Sequence, residues 1–279
     1  MPAFPPLLLS LLGMGGHGPR QADLERAVRG RRVLVTGASR GIGAALAGRL
    51  ALAGAHVILL ARSEPELRRL VRRISAQGGS AEYIVCDLRD SDAAQQAGRR
   101  VLAGGVPDVI VSNAGLSIQR YLVDYASRFH DITRSTGVNF LGPVAMLLEL
   151  LPHMRGGHLI SVSSASVVTP APGWSAYGAS KSAFEAWIRA IAPELALQGV
   201  ATTSLRLPLV HTGMSSAWRG LPGLSVRGAA SLVCAAIVSR PRVIAPWWVR
   251  IAGVLMDAAP AQSDRLMTAY ARLDRQRRS

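Results

Sequence analysis

The chain contains almost no lysine. Of its 32 Lys and Arg residues, Lys181 is the single lysine. Arginine cannot replace lysine where a site needs a compact ammonium group, because the arginine charge is spread over a planar fork. In a chain that uses arginine everywhere else, Lys181 is therefore a candidate functional residue.

Cysteine and long apolar runs are scarce as well. The two cysteines, Cys86 and Cys234, lie far apart in apolar surroundings, which excludes a disulfide framework and a cysteine-based metal site. They favour buried roles in a reducing compartment, so we expect a cytoplasmic protein without a metal. No stretch approaches the roughly 18 apolar residues of a membrane-spanning helix. The leucine-rich segment Phe4–Leu12 lacks a charged leader, which makes it a poor secretory signal and leaves a flexible tail or a weak surface anchor.

Aromatic residues are also few. They make up 5% of the chain, and although the formal net charge is +15, the basic residues are scattered. This argues against nucleic-acid binding, which needs stacking side chains or a concentrated basic surface. The arginine clusters at 68–73 and 272–278 are interpreted as solvated helix faces or as surfaces for an anionic partner: a phosphorylated cofactor, acyl-CoA, an acidic carrier protein or anionic lipid.

Short apolar runs alternate with helical patterns along most of the chain. Strands are predicted at Arg32–Thr36, His56–Ala61, Tyr83–Cys86, Asp108–Val111, His158–Val162, Ala201–Leu207 and Arg242–Ala245, and helices at Gly41–Ala53, Glu64–Gln77, Ser91–Ala103, Asp131–Met154 with a kink at Pro143, Ser175–Gln198 and Ala229–Val238. This alternation predicts an α/β fold, a single Rossmann-like doubly wound parallel sheet of about seven strands with helices on both faces.

The expected organisation has three parts. An N-terminal extension, flexible or surface-anchoring, spans 1–30, the α/β domain spans 31–245, and a C-terminal amphipathic helical extension spans 246–279. In the last part, tryptophan next to arginine suits a membrane interface. Packing on the sheet edge or on another subunit is an equal alternative, and the protein is expected to contact a membrane or a carrier protein only peripherally.

A glycine-rich turn follows the first predicted strand and opens a helix. Gly37, Gly41 and Gly43, with Ser39 and Ile42 between them, allow a tight turn and a close approach of the backbone to a pyrophosphate. The free N–H groups at the start of the helix favour the same anion. The strand–turn–helix context makes this a predicted dinucleotide site.

The residues after the second and third strands indicate which dinucleotide fits. Arg62 follows the second strand where an NAD enzyme places a carboxylate, and Arg40 lies in the glycine turn. Two guanidinium groups suit a 2′-phosphate, so NADP(H) is the expected cofactor. Asp87, after the third strand, is either an acceptor for the adenine amino group or a turn cap.

Tyr177 and Lys181 are four residues apart on a predicted helix and project from the same face. A free tyrosine has a pKa of about 10, and a neighbouring ammonium lowers it toward the range useful for proton transfer. Ser163 and Ser164 end the fifth predicted strand, where a hydroxyl can orient a substrate oxygen.

These motifs together resemble the short-chain dehydrogenase/reductase family. The resemblance rests on Thr36–Gly43, Ser112–Gly115, Asn139, Ser164 and Tyr177–Lys181, in order and spacing, and covers about Arg31 to Thr212. It implies that Ser164, rather than Ser163, binds the substrate oxygen and that Asn139 supports a proton-relay water. It further implies that Asn113, Ala114 and Gly115 line the cofactor pocket and that Thr212 contacts the nicotinamide. Leu209 stands where the family usually has glycine.

The resemblance implies an NADPH-dependent oxidoreductase that reduces a carbonyl group or oxidises the alcohol. Thr169–Trp174 and Leu209–Val226 are apolar, with Met214, Trp218, Leu221 and Leu224, so we expect a lipid-like substrate. A fatty acyl or 3-ketoacyl thioester fits best, a retinoid- or steroid-type alcohol is an alternative, and a non-catalytic nucleotide-binding scaffold remains open. Similar proteins form homodimers or homotetramers through helices equivalent to Asp131–Met154 and Ser175–Gln198.

Overall fold

The computed structural model describes residues 18–169, 171–218 and 221–276. Its helices are α1 (Gln21–Val28), α2 (Gly41–Leu52), α3 (Glu64–Ala76), α4 (Ser91–Ala103), α5 (Phe129–Thr136), α6 (Gly142–Leu150), α7 (Ser175–Leu197), α8 (Val226–Ser239), α9 (Trp247–Ala258) and α10 (Pro260–Gln276). Its strands are β1 (Arg32–Thr36), β2 (His56–Ala61), β3 (Ser80–Val85), β4 (Val109–Ser112), β5 (His158–Ser164), β6 (Ala201–Leu207), β7 (Val210–His211), β8 (Leu224–Ser225) and β9 (Val243–Ile244).

Seven of these strands form one parallel sheet in the order β3-β2-β1-β4-β5-β6-β9. The order runs outward in both directions from the neighbouring strands β1 and β4, which makes the sheet doubly wound. In open sheets of this kind, ligands bind at the carboxyl ends of the strands where the strand order reverses. The predicted fold class is confirmed.

Alternate side chains of the strands enter two separate cores. In β1, Val33 and Val35 lie in one apolar cluster, whereas Leu34 lies in the other. The first cluster is covered mainly by α2, α3 and α8, and the second by α4, α6 and α7. Helices therefore pack on both faces, which explains why the central part of β1, most of β2 and most of β4 are continuously apolar.

Two predicted elements differ from the observed ones. The third strand spans Ser80–Val85 instead of Tyr83–Cys86, because its first half pairs with β2 although it carries polar side chains. The long helix predicted at Asp131–Met154 is divided by a π-helical turn at Gly137–Leu141. Pro143, where the sequence predicts a kink, lies in the first turn of α6, directly after that π-helical turn.

The chain ends bear on the expected extensions. Residues 21–28, assigned to the N-terminal extension, form α1, and its Leu24 and Val28 are fully buried in the first core. The segment Phe4–Leu12 lies outside the described residues. The predicted tail helix is two helices, α9 and α10, separated at Ala259. Among the helices described, none combines the length and the apolar character needed to cross a bilayer.

Candidate active site

The carboxyl ends of β1 and β4 are tied together by Thr36 and Asn113. The Thr36 hydroxyl accepts hydrogen bonds from the backbone N–H groups of Asn113 and Ala114, both at 3.0 Å. The Asn113 amide donates in return to the Thr36 carbonyl oxygen at 2.9 Å. These bonds hold the segment Ser112–Gly115 against the glycine-rich turn, so two predicted cofactor segments meet at one edge of the sheet.

The glycine-rich turn has no room for side chains where the backbone folds back on itself. Gly37 has a φ of +66°, and a Cβ at that position would stand 2.8 Å from Ala114 Cα. A Cβ on Gly43 would clash with the Gly37 carbonyl oxygen. Gly41 has a φ of +58° but faces open space, where only Thr212 lies nearby. The turn therefore forms a cradle of bare backbone at the N-terminus of α2, as a pyrophosphate requires.

Two exposed arginines lie at this cradle. Arg40 and Arg62 are exposed, and their side chains form no hydrogen bond or ion pair with any residue that the structure describes. The first carboxylate after β2, that of Glu64, accepts hydrogen bonds from Arg68 and from the Tyr83 hydroxyl. The free positive charges and the engaged carboxylate fit a dinucleotide with a 2′-phosphate.

Asp87 is placed at the end of β3, but it already has partners. Its carboxylate accepts hydrogen bonds from the Arg89 side chain at 2.8 Å and from the Arg89 backbone N–H at 3.0 Å. The bond from the Arg89 side chain is the main reason why the pKa of Asp87 lies below its usual value. Of the two roles considered for Asp87, a turn cap and an acceptor for the adenine amino group, this geometry matches the turn cap.

The four predicted catalytic positions come from three elements. Ser164 ends β5, Tyr177 and Lys181 lie in the first turns of α7, and Asn139 lies in the π-helical turn. The Tyr177 phenol forms a hydrogen bond with the Ser164 side chain. The Ser164 hydroxyl also accepts from the Ser166 hydroxyl at 2.9 Å. The Ser163 hydroxyl instead donates to Glu185 Oε2. This supports the expectation that Ser164, and not Ser163, binds the substrate oxygen.

Burial acts on the pKa of both α7 residues. It raises the pKa of Tyr177 above its usual value, and the hydrogen bond with Ser164 offsets only part of this. It lowers the pKa of Lys181 to about 8, against the opposing charge of Glu185. The lowering of the tyrosine pKa by Lys181 that the sequence predicts is not found, since only burial and Ser164 shift the pKa of Tyr177. The Lys181 ammonium itself donates to the Val162 carbonyl oxygen at 3.0 Å.

Asn139 is buried and holds the loop after β4 in place beside Lys181. Its side chain accepts from Leu116 N–H and donates to the Leu116 carbonyl oxygen, both at 2.8 Å, and donates to Ser180 Oγ at 2.9 Å. A Cβ on Gly115 would lie 3.5 Å from both Asn139 Oδ1 and Lys181 Nζ. Single π-helical turns inside helices are frequent at functional sites, and this one directs Asn139 toward the loop after β4.

Sequence reasoning missed a buried polar network behind Lys181. Glu185, one turn further along α7, accepts hydrogen bonds from Ser163 Oγ at 2.6 Å and from Arg206 Nε at 2.7 Å. Its side chain is almost fully buried, as a charge can be when it is paired. The i, i+4 spacing from Lys181 was the available signal, since it puts Glu185 on the same helix face as Tyr177 and Lys181.

The residues expected to face the substrate are only partly described. Met214 and Leu221 are exposed, whereas Leu224 is buried in the first core against α8 and cannot line a pocket. Nothing is described of the Trp218 side chain or of Pro170. Thr212 accepts a hydrogen bond from Met214 N–H at 3.2 Å and lies beside the glycine cradle, on the side where β1 ends.

Comparison with known proteins places these features in a family context. The profile of short chain dehydrogenases matches residues 31–220. A fatty acyl-CoA reductase of Acinetobacter baylyi is 39% identical over 255 residues, which are 89% of this chain and 86% of that protein. A fatty acyl-CoA reductase of Mycobacterium tuberculosis is 40% identical over 228 residues, which are 78% of this chain and 76% of that protein.

Solved structures show the same architecture. A 3-oxoacyl (acyl-carrier-protein) reductase from Agrobacterium tumefaciens with NADP bound is 29% identical, with a TM-score of 0.72 over 81% of this chain and 95% of that chain. A short chain dehydrogenase from Burkholderia cenocepacia in complex with NADP is 30% identical, with a TM-score of 0.71 over 78% of this chain and 96% of that chain.

Proposed function

The chain belongs to the short chain dehydrogenase family, and on that premise we propose that it is an NADPH-dependent reductase of fatty acyl thioesters. The observation that carries the reaction class is the placement of Ser164, Tyr177 and Lys181 beside a glycine cradle, whose two arginines pair with no residue in the described part of the chain. The substrate class is supported by the fatty acyl-CoA reductases to which most of the chain is similar.

We assign each side chain one task. NADPH supplies the hydride when it is bound at the cradle formed by Gly37, Gly41 and Gly43. The Tyr177 hydroxyl donates a proton to the carbonyl oxygen of the substrate, and the Ser164 hydroxyl donates a hydrogen bond that orients that oxygen. Lys181 supplies positive charge close to the phenolate that the proton transfer leaves behind, and Asn139 keeps the loop after β4 in place beside Lys181.

The reaction on an acyl thioester is balanced by the release of a thiol. Hydride addition to the thioester carbon and proton donation by Tyr177 give a hemithioacetal. Its carbon–sulfur bond then breaks, which releases the aldehyde and the free thiol of the carrier. Reduction of a 3-ketoacyl thioester, the second candidate, ends at the 3-hydroxyacyl thioester with no thiol released. It is favoured by the likeness to the 3-oxoacyl reductase fold.

The test is NADPH oxidation by the purified protein with a long-chain acyl-CoA and, in parallel, its 3-keto counterpart. We expect oxidation with the plain thioester, together with equal amounts of aldehyde and free thiol. Oxidation with the keto form alone, without thiol release, would assign the protein to the second candidate. No NADPH oxidation with either thioester would contradict the proposal, and retinoid- or steroid-type alcohols would then be tested as substrates.

We also propose that α9 rests on a membrane surface. Trp247, Ile251, Val254 and Leu255 follow the helical repeat and are all at least half exposed. The opposite side of α9 packs near the active site, since a Cβ on Gly253 would lie 3.4 Å from Val168 Cβ. An apolar helix face on a chain of net charge +15 suits an anionic bilayer.

Sedimentation with phosphatidylglycerol vesicles tests this surface. We expect binding that is weaker on phosphatidylcholine and is lost in an Ile251→Gln, Leu255→Gln double variant. Absence of vesicle binding would contradict it, and a change of oligomeric mass in the double variant would assign α9 to subunit contact instead. We further propose that the protein is cytoplasmic, in keeping with two buried cysteines that form no disulfide. We propose that it forms a homo-oligomer and that its α/β domain, predicted at 31–245, also includes α1, whose Leu24 and Val28 are buried in the first core.

A further inference from the structure

Three arginines surround one buried carboxylate near the active site. Asp131, in the first turn of α5, has a side chain that is 1% exposed, and Arg120, Arg128 and Arg134 lie around it. These three residues are called the arginine cluster below. Their side chains are 35%, 42% and 43% exposed, so each guanidinium group reaches solvent while one side of it faces Asp131.

The arginine cluster carries more positive charge than Asp131 neutralises. Asp131 Oδ2 accepts from Arg120 Nε and Arg128 Nε, each at 3.2 Å, so the terminal nitrogens of Arg128 donate to no residue that the structure describes. The next carboxylate in the chain, that of Asp124, accepts instead from Tyr121 N–H. On α3, by contrast, the exposed Arg69 pairs with a single carboxylate, that of Glu66.

Asp131 stays ionised within this cluster. Removal from water raises the pKa of its carboxyl group, but the hydrogen bond from Arg128 and the neighbouring positive charges outweigh that effect and hold the pKa below its usual value. The carboxylate therefore orders Arg120 and Arg128 by their Nε atoms, whereas Arg134 approaches it through Nη1 at 3.6 Å. Arg120 Nη1 donates to the Gln119 carbonyl oxygen, so the terminal nitrogens of Arg128 and the outer edge of Arg134 are left for a second anion.

One loop connects the catalytic centre with the arginine cluster. Leu116 N–H donates to Asn139 Oδ1 at 2.8 Å, and Arg120 N–H donates to the carbonyl oxygen of Gly173, four residues before Tyr177, also at 2.8 Å. Four residues of extended chain span at most about 14 Å. The backbone of Arg120 is thus tied to the segment that leads into Tyr177, at a distance that an extended substrate arm can span.

The same loop holds a buried donor without a partner. Gln119 Nε2 is buried and makes no hydrogen bond with any of the described residues. It faces the Gly173 turn, where a Cβ would lie 3.3 Å from that nitrogen. An unpaired buried amide is costly, so its position between the active site and the arginine cluster points to an acceptor on a ligand.

We propose that the arginine cluster binds the phosphate groups of the coenzyme A part of the substrate, and that Gln119 donates to an amide carbonyl of its pantetheine arm. Guanidinium forks form paired, charge-assisted hydrogen bonds with phosphate oxygens. The inference rests on the proposed function, because it assigns the part of an acyl-CoA that is not reduced.

Calorimetric titration of the full-length protein with free coenzyme A tests the site directly. Saturating NADP is added, so that coenzyme A cannot enter the cofactor cradle. We expect Arg128→Ala and Arg134→Ala each to weaken binding about tenfold, whereas Arg26→Ala, which removes an arginine paired with Asp23 on α1, leaves it unchanged. Pantetheine, which lacks the phosphates, should bind weakly and equally to all four proteins. Equal coenzyme A affinities in all four proteins would overturn the inference.

Kinetics separate this inference from the proposed function. The two cluster variants should lower the ratio of kcat/KM for acyl-CoA to kcat/KM for the matching acyl N-acetylcysteamine thioester about tenfold, and Arg128→Lys should recover part of it. An unchanged ratio in an enzyme that reduces acyl-CoA would overturn the inference alone. If the unaltered protein reduces neither thioester, the proposed function fails, while the binding titration still decides on the arginine cluster.

Discussion

Lys181 is held in a place that disfavours its charge. Its side chain is buried on α7, it donates to the Val162 carbonyl oxygen, and burial brings its pKa to about 8. A chain under selection for stability alone would have an apolar residue here. The retention of lysine, in a protein that otherwise uses arginine, is explained by a need for a compact ammonium group at this point.

Replacement of Lys181 by an apolar residue should lower the activity of the protein and raise its stability. We expect Lys181→Met to abolish turnover and to raise the free energy of unfolding by about 2 kcal/mol at pH 7. The folded pKa lies below the unfolded one, so the unfolded chain binds the extra proton between about pH 8 and pH 10.5. The stability of the unaltered protein therefore rises across that window, and the advantage of the variant should vanish above it. Urea unfolding at pH 7, 9 and 10.5 measures this, and a variant less stable at pH 7 would contradict it.

Glu185 is expected to position Lys181 rather than to touch substrate. Its charge favours the protonated lysine, and it is itself fixed by Ser163 and Arg206. Glu185→Gln keeps the shape but removes the charge, so we expect kcat to fall severalfold and the alkaline limb of the activity profile to move to lower pH. Glu194→Gln, an exposed change on the same helix, is the matched control. A uniform loss of activity without a shift of the profile would indicate a purely structural role.

Arg40 and Arg62 should decide the choice between NADPH and NADH. Each is exposed and unpaired within the described structure, and each can donate to a 2′-phosphate that NADH lacks. We expect Arg62→Ala to raise the KM for NADPH about tenfold and to leave that for NADH unchanged. Arg227→Ala, an exposed change on α8, provides the control. An equal rise of the KM for NADPH and for NADH would contradict the assignment of Arg62 to the 2′-phosphate.

At the scale of elements, the sequence was sufficient to predict the central strands of the sheet, because buried strands are recognisable as apolar runs. β1, β2 and β4 are apolar at nearly every position, and their predicted bounds agree with the structure to within a residue. β3 was placed late because its exposed first half is polar and is ordered only by pairing with β2. The π-helical turn at Gly137–Leu141 could not be predicted, since it depends on the contact between Asn139 and the loop after β4.

Contacts in the site between residues close in sequence could be predicted, whereas contacts between distant residues could not. Tyr177 and Lys181 share a helix face, so their meeting follows from four residues of separation. The partners of Glu185 and Asp131 come from other elements, with Arg206 on β6 and Arg120 in a loop. Only the folded chain brings Arg206 to Glu185 and Arg120 to Asp131, whereas Arg128 and Arg134 lie three residues from Asp131, a spacing that was available in the sequence.

The pairing of β5 with β6 contains a titratable group that should limit stability in acid. His158 is buried, and its Nε2–H donates to Thr203 Oγ1 at 2.8 Å, because the Thr203 hydroxyl in turn donates to Pro241. Burial lowers the pKa of His158 to about 4. The unfolded chain therefore binds the extra proton between about pH 6.5 and pH 4, and about 3 kcal/mol of stability should be lost as the pH falls through that range.

His158→Gln checks the acid limit, since glutamine can donate to Thr203 without titrating. We expect the variant to be less stable at pH 7 but to have a flatter dependence of unfolding free energy on pH between 6.5 and 4. Chemical unfolding at several pH values gives the slope. Parallel curves for the two proteins would show that His158 does not govern acid stability.

At the scale of the whole molecule, three binding regions converge on one edge of the sheet. The glycine cradle and its arginines lie where β1 and β2 end, and Ser164 lies where β5 ends. The arginine cluster approaches from the loop after β4, and α9 contacts Val168 close to Ser164. The formal net charge of the chain is +15, and all but one of its basic residues are arginines, which suits a protein whose cofactor, thioester carrier and proposed membrane surface are all anionic.

The most direct measurement is turnover and cofactor binding by Tyr177→Phe, with the acyl-CoA and its 3-keto counterpart as substrates. The variant loses the proton donor but keeps the ring that packs in the site, so NADPH should bind with unchanged affinity. Turnover should fall at least about a hundredfold, the contribution expected of a general acid. Turnover close to that of the unaltered protein, with NADPH still bound, would contradict the assignment of Tyr177 as the proton donor.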